Sequence, residues 1–513
     1  MLRTRSLTSA LRTGWGGALG LGLALCAVAA PALAQSTGES TYDIGKVYPD
    51  SFAVMYPPWA YRPADDETVR PGGDAAGMGG AYLARAEGPI AVGWEPAGLA
   101  STDHAALVID GLARASSSSV PAYPDSFNLS GIGSLLITSY QSKLKGNLNA
   151  NFIGLGLPVF ENGSFRVAGA LSWRRYLDLT ASGQVLSNMT IRSQANITPA
   201  IYSLNRSEKG GVEAFAPTVA VQLFPGLAFG ANFNVLTGSL NSSVVQRISY
   251  GVFPIESRLK LDYKYSGFVP DLGVRLQGLD QRIQVAARYS PAYILKVRQG
   301  TFSSRIPAQG TILYPYTVVG TVPDYDLKAP ASLGIGLAIA ASPDLSFAFD
   351  FDQHKWSQTT FTYRTPSARL ESLGKPSYPL QDVTSFHVGG EYVLMRRPWG
   401  ELPVRLGFER VPLSYRQVDR NDLAVTTDSL GDVESVKIGS GWNGKQIKPN
   451  AFTLGASLRL KEVTYDFGLE RISYDGTAWF FDVPYDATVN PEMSLVTVKQ
   501  TLTYLRLSAT YHL

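Results

Sequence analysis

The C-terminal end of the chain alternates. Leu505, Leu507, Ala509, Tyr511 and Leu513 interleave with Tyr504, Arg506, Ser508, Thr510 and His512, which puts apolar side chains on one face of an extended segment and polar ones on the other. The same period of two runs through Phe452, Leu454, Ala456, Leu458 and Leu460, through Leu333, Ile335, Leu337 and Ile339, and through Phe347, Phe349 and Phe351. It recurs at Leu227, Phe229, Ala231, Phe233 and Val235, with Asn232 and Asn234 between them, and at Ile283, Val285, Ala287 and Tyr289, with Gln284 and Arg288 between them. These are strands with one wet and one dry face. After residue 34 no apolar run reaches the roughly 18 residues that a spanning helix needs. A soluble sandwich alternates in the same way, so the connections have to decide.

Short turn-rich links stand at Glu161-Asn162-Gly163-Ser164, Pro225-Gly226, Gly278-Leu279-Asp280-Gln281, Ser342-Pro343-Asp344, Pro398-Trp399-Gly400 and Lys461-Glu462. Between them lie long polar links, near residues 116 to 146, 176 to 213, 238 to 258, 299 to 329, 356 to 382, 413 to 450 and 475 to 499. Six short turns alternating with seven long links predict about fourteen antiparallel strands with both termini on the short-turn side. That asymmetry is the pattern of an outer-membrane barrel. Charged residues are only 17% of the chain, against about 25% in ordinary globular proteins, which suits a surface facing lipid. The predicted fold class is all-β: a transmembrane antiparallel β-barrel of about fourteen strands with an N-terminal hatch in its lumen. Trp173, Tyr176, Tyr293, Trp356, Tyr392 and Trp399, near predicted strand ends, suit interfacial girdles.

The N-terminus reads as an export signal. Arg3, Arg5 and Arg12 precede an apolar stretch ending at Ala30, then Ala32-Leu33-Ala34, which predicts cleavage after Ala34. Cys26, the one cysteine, falls inside this segment, so disulfide, zinc-thiolate and cysteine-nucleophile chemistry are excluded from the mature chain. A formal net charge of +3 without a basic stripe argues against a nucleic-acid partner.

Residues 72 to 104 precede the first strand, expected near Ala105 to Ala115, and therefore start on the periplasmic side. They are mostly small. Gly77, Gly79, Gly80 and Ala81 allow a backbone to pass close to inward side chains, and Glu95-Pro96-Ala97-Gly98-Leu99 can form one helical turn with Pro96 at its first position. A flexible linker would explain the glycines but not Tyr82, Leu83, Ile90, Val92 and Trp94, which favour a plug.

At these residues the chain resembles a known family. Gly77-Met78-Gly79-Gly80-Ala81 followed by Trp94-Glu95-Pro96-Ala97-Gly98-Leu99 is similar to the hatch segment of the outer-membrane long-chain fatty acid transporter family, the FadL-like proteins. Val285 through Pro291, Leu327 through Gly336 with Ser342-Pro343-Asp344-Leu345 and Lys355-Trp356-Ser357, and Asp382 through Phe408 also follow the family pattern in order. The resemblance implies a fourteen-stranded barrel, blocked by its hatch, that passes long-chain fatty acids or other hydrophobic molecules inward. A ligand caught by outer loops would move to an apolar pocket and leave sideways through a gap beside a kinked strand when the hatch shifts. The hatch residues it implies are Gly77, Gly79, Gly80, Trp94, Glu95, Pro96 and Ala97. Glu95 departs from the family's usual asparagine, residues 35 to 71 form an N-terminal extension that the family usually lacks, and the chain ends in Leu513 where many barrels end in phenylalanine.

The expected organisation is a signal peptide at 1 to 34, the extension at 35 to 71, the hatch at 72 to 104 and the barrel at 105 to 513. Expected partners are a long-chain fatty acid or other hydrophobic ligand and outer-membrane lipid, with the protein a monomer. No cofactor or metal is expected. The four histidines, His104, His354, His387 and His512, show neither a His-Glu-x-x-His spacing nor a Gly-x-Ser-x-Gly elbow, so the chain reads as a non-enzyme. Asp350, Asp352 and His354 share one strand face, where they suit paired lumen charges, with Arg288 or Arg405 as partners, better than a metal. A non-selective porin is disfavoured by the hatch; a structural or secretion-assembly barrel subunit is the alternative function.

Overall fold

The computed structural model describes residues 70–120, 126–129, 133–192, 197–250, 253–306, 316–322, 324–364, 380–414, 423–427, 433–438, 445–481 and 493–513. The expected signal peptide and all of the extension before Arg70 lie outside the described residues.

Fourteen strands close into a barrel. They are β1 (Ala106–Val120), β2 (Gly133–Asn162), β3 (Phe165–Asp178), β4 (Ile197–Phe224), β5 (Leu227–Tyr250), β6 (Phe253–Gly278) and β7 (Ile283–Ser290). The circuit continues with β8 (Ser332–Ala340), β9 (Leu345–His354), β10 (Val383–Arg397), β11 (Gly400–Arg410), β12 (Asn450–Leu460), β13 (Val463–Phe481) and β14 (Met493–His512). Each pairs antiparallel with the next, and β14 closes on β1 from Ala106↔His512 to Ser119↔Lys499. Closure leaves no edge strand, which is what a sheet in hydrocarbon requires because its backbone groups cannot turn to water.

The faces are inside out relative to a soluble protein. On β9, Phe347, Phe349 and Phe351 are exposed while Asp350, Asp352 and His354 are buried. On β5, Phe229, Phe233 and Val235 point outward and Asn232 and Asn234 are buried within. The alternation in the sequence therefore gives both facts at once: apolar side chains toward lipid, polar ones toward the lumen. All six short turns connect strands at the end where β1 begins and β14 finishes.

Two expectations are corrected. Of the links read as long and polar, residues 116 to 146, 176 to 213 and 238 to 258 are largely strand; β5 and β6, for example, stay paired from Leu227↔Leu276 to Tyr250↔Phe253. Ladder hydrogen bonds hold such an extension without an apolar face, so polarity did not mark a loop there. Tyr176 and Tyr293 are not girdle residues. Tyr176 is buried in an apolar cluster inside the barrel, and its ring meets that of Tyr293, which packs against the cluster, edge to face at 6.0 Å. Tyr392 and Trp399 are exposed on the outside.

Candidate functional site

Residues 70 to 104 lie within the ring of strands and touch inward residues almost all the way round it. The segment begins with a five-residue helix, α1 (Gly73–Gly77), and continues through 3-10 turns at Gly88–Gly93 and Pro96–Ser101. Its small residues matter because its backbone runs against strand backbone. A Cβ at Gly77 would sit 2.7 Å from the Cα of Gly455, one at Gly79 would sit 2.7 Å from the Phe408 nitrogen, and one at Gly80 2.8 Å from His387 Nδ1. Gly79 and Gly80 also hold φ of +65° and +74°, the left-handed region, where the chain reverses.

The wall answers with glycines of its own, which sequence reading missed. Gly230, Gly273, Gly389, Gly407, Gly455 and Gly468 all face the segment, and a Cβ at Gly230 would lie 2.2 Å from the Pro96 carbonyl carbon. Glycine inside a strand pattern is the available signal, since it marks close approach of another backbone.

Polar contacts fix the segment at several heights. Asp350 accepts the Tyr82 and Leu83 N–H groups at 2.6 and 2.7 Å, and Asp110 accepts the Gly72 N–H at 3.1 Å. The Gly73 N–H donates to Ser508 Oγ at 3.0 Å, and Thr453 Oγ1 donates to the Gly77 carbonyl at 3.0 Å. Arg85 pairs with Glu391 at 3.0 Å. Arg275 donates to the carbonyls of Leu83 and Ala86. Of the expected lumen partners, Arg288 meets Asp352 at 3.2 Å, together with Arg70, whereas Arg405 pairs with Glu391 at 2.6 Å and not with the Asp350 ladder.

Glu95 caps the turn it precedes. Its carboxylate accepts the N–H of Ala97 at 2.8 Å and of Gly98 at 3.1 Å, Pro96 occupies the first helical position, and Arg275 Nε stands 3.5 Å away. Burial pushes the Glu95 carboxyl above its ordinary value, with Arg275 and the two N–H donors pulling the other way. Trp94 is buried, donates from Nε1 to the Pro71 carbonyl at 2.7 Å, and meets Tyr82 edge to face at 5.4 Å. Ala97 packs in the same apolar cluster as Trp94, Leu99, Phe152 and Ala216.

Outward of the segment lies a second apolar cluster: Tyr176, Leu177, Val212, Ala214, Leu236, Val269 and Leu295, with Tyr265, Tyr293 and Leu327 packed against it. Beside it the wall is interrupted. The β2–β3 ladder ends at Phe152↔Arg174, and pairing of β2 resumes only at Leu144↔Gly183, on the strand Ala181–Arg192 that continues β3. Residues 145–151 thus have no partner on that side among the described pairings. β3 bulges at Tyr176, between Arg175↔Glu213 and Leu177↔Val212, and the Arg114 guanidinium on β1 donates to the Thr180 carbonyl. Arg174, the last paired residue, reaches the Gly93 carbonyl of the segment at 3.5 Å, so segment, cluster and interruption meet at one place.

Among the described residues no group of three or more His, Cys, Asp or Glu side chains is placed to hold a metal ion. His387 Nδ1 faces the Gly79 carbonyl at 2.8 Å and Glu409 at 3.3 Å, His354 stacks on Trp356, and His104 contacts His512. The geometry defines a fourteen-stranded transmembrane barrel whose lumen holds an N-terminal segment. The chain shares its fold with a FadL homologue of Pseudomonas aeruginosa, at a TM-score of 0.51 and 13% identity, over 85% of this chain and 98% of that one. The toluene transporter TbuX of Ralstonia pickettii aligns at a TM-score of 0.49 and 13% identity, over 86% of this chain and 98% of that one. No family model matches the sequence, and no curated protein matches it.

Proposed function

We propose that the chain is an outer-membrane protein of a Gram-negative-type cell that admits hydrophobic small molecules by passive diffusion, with residues 72 to 104 as the hatch of a barrel spanning 105 to 513. The observation that carries this reading is the apolar cluster lying directly behind the β2–β3 interruption. A water-filled pore gives an apolar solute no reason to enter, whereas burial among apolar side chains is favourable by roughly 25 cal/mol per Å². A wall opening at that level lets the solute pass into lipid instead of crossing water. The hatch keeps the remaining lumen closed to ions, and Arg174 ties it to the edge of the opening.

Deleting residues 72 to 100 tests the reading. With equal folded protein in the membrane, the deletion is expected to conduct ions in planar bilayers and to lose saturable uptake of a hydrophobic solute. If it conducts no better than the full chain and uptake is unchanged, the segment is a linker and a structural or assembly role becomes the better reading.

A further inference from the structure

Resting on the reading that the barrel spans an outer membrane with its short turns on the periplasmic side, we infer that Lys264, Lys296 and Lys328 form a binding row for phosphate-bearing lipid headgroups of the outer leaflet. The row lies on the outside of the wall. On β6 Tyr263 is buried and Tyr265 packs against the inner apolar cluster, on the strand Tyr293–Ile306 Leu295 and Val297 are buried, and on the strand Tyr325–Ala329 Leu327 packs against that cluster. Side chains alternate along a strand, so the lysines beside these residues point outward, and all three are exposed.

Register brings them together. Lys296 stands opposite Ser266, two residues from Lys264, and Lys328 stands opposite Ile294, two residues from Lys296. Diagonal neighbours of this kind lie about 7–8 Å apart, so the three ammonium groups follow one another across three adjacent strands. Exposed Lys260 continues the same face of β6, with half-buried Asp262 between it and Lys264.

The other acids nearby are engaged elsewhere. Asp326 is the register partner of Lys296, yet its carboxylate takes the guanidinium of Arg298 and stands 3.5 Å from Arg364 Nε. Asp324 lies 3.8 Å from Arg298 Nε. Among the described residues no carboxylate pairs with Lys264, Lys296 or Lys328. Unmatched like charges this close repel one another, and a phosphate lying between two of them removes the repulsion while accepting a charge-assisted hydrogen bond from each.

Their height is that of a headgroup layer. Outward residues of β6 are apolar and exposed at Leu276, Leu272 and Phe268, then turn polar at Ser266 and Lys264. From Leu276 to Lys264 is about 41 Å along the strand at ~3.4 Å per residue, which a tilt of ~40° reduces to about 31 Å of height, just past an apolar band about 25 Å tall. The lysine stems lie above the exposed Phe268 and Ile294 side chains, where their ammonium groups meet phosphate instead of hydrocarbon.

The test is binding of lipid A, which carries two phosphates, and of phosphatidylcholine to purified full-length protein in neutral detergent micelles, read by native mass spectrometry. Lipid A is expected to bind at least about tenfold more tightly. A variant combining Lys264→Gln, Lys296→Gln and Lys328→Gln is expected to lose at least about tenfold of that affinity with phosphatidylcholine binding unchanged, since each lysine near an anionic surface is worth roughly fivefold. Arginine at all three positions is expected to retain it. Equal binding of the two lipids, or unchanged lipid A affinity in the folded glutamine variant, overturns the inference. So does competition by inorganic phosphate at the concentration of the lipid, which assigns the row to a soluble anion. Should the glutamine variant not fold, the ranking of the two lipids on the unaltered protein still decides. Membrane fractions from a sucrose gradient separate the failures: a protein found in the outer membrane without the lipid preference leaves the outer-membrane reading standing, whereas one absent from that fraction removes both.

Discussion

At the scale of single residues, Glu95 carries an opposed set of forces that a pH experiment can read. Its carboxyl is raised above the ordinary 4.5 by burial, despite the Arg275 charge and two N–H donors. With the segment seated in the lumen, this position therefore binds more protons than it would with the segment displaced and the carboxyl hydrated. By linkage, seating is strongest below 4.5 and weakens as the pH rises from there through the raised value. If the segment gates the lumen as proposed, ion conductance is expected to increase across that window in the unaltered protein and to flatten in Glu95→Gln, which cannot titrate. The same slope in both would assign it to another group. Glu95 was visible in the sequence as a residue before Pro96-Ala97-Gly98; that its carboxylate caps the turn and faces Arg275 was not, because Arg275 is distant in the chain and arrives only through the register of β6.

At the scale of the strand, the decisive property is which face meets lipid. Leu337 lies on the outward face of β8 with Leu333 and Ile335, while Ser332 on the inward face is only 6% exposed. An arginine on the lipid face costs roughly 2 to 4 kcal/mol near the bilayer midplane. Leu337→Arg is expected to lower the yield of assembled barrel, measured as folded protein in the outer membrane, whereas Gln284→Arg on the neighbouring inward face is not. Equal yields would reverse the faces. Gln284 makes the cleaner inward control because Ser332 is packed, and a long side chain there has no room. Alternation announced both faces, since strand geometry sends successive side chains to opposite sides. It could not announce that much of the inward face packs against another part of the chain. The strand glycines hinted at it: Gly407 and Gly468 leave space for the backbone of residues 73 to 79.

For the whole molecule, closure implies resistance to detergent. Fourteen strands paired in a circuit have no edge from which unfolding can start. The protein is expected to migrate differently on a denaturing gel before and after boiling and to give a β-type circular dichroism spectrum. Identical mobility together with a helical spectrum would contradict the closed barrel. Closure also makes the lumen segment distinctive, because it spreads its partners over the whole circuit, from Asp110 on β1 to Ser508 on β14.

What the sequence determined by itself was local in origin. Period two, six turn motifs and the small-residue stretch before β1 are short-range signals, and they suffice for strands, their faces, their number and a candidate plug. The tertiary structure decided what depends on register around a closed sheet. It brought Asp350 under the Tyr82 and Leu83 amides, set Arg174 against Asp271, turned Tyr176 and Tyr293 inward, and opened the β2–β3 ladder beside an apolar cluster. Each of these joins residues far apart in the chain. A one-residue slip of register would exchange the two faces and dissolve the arrangement, so closure of the barrel, which fixes every register against its neighbours, is the physical step that no single segment encodes.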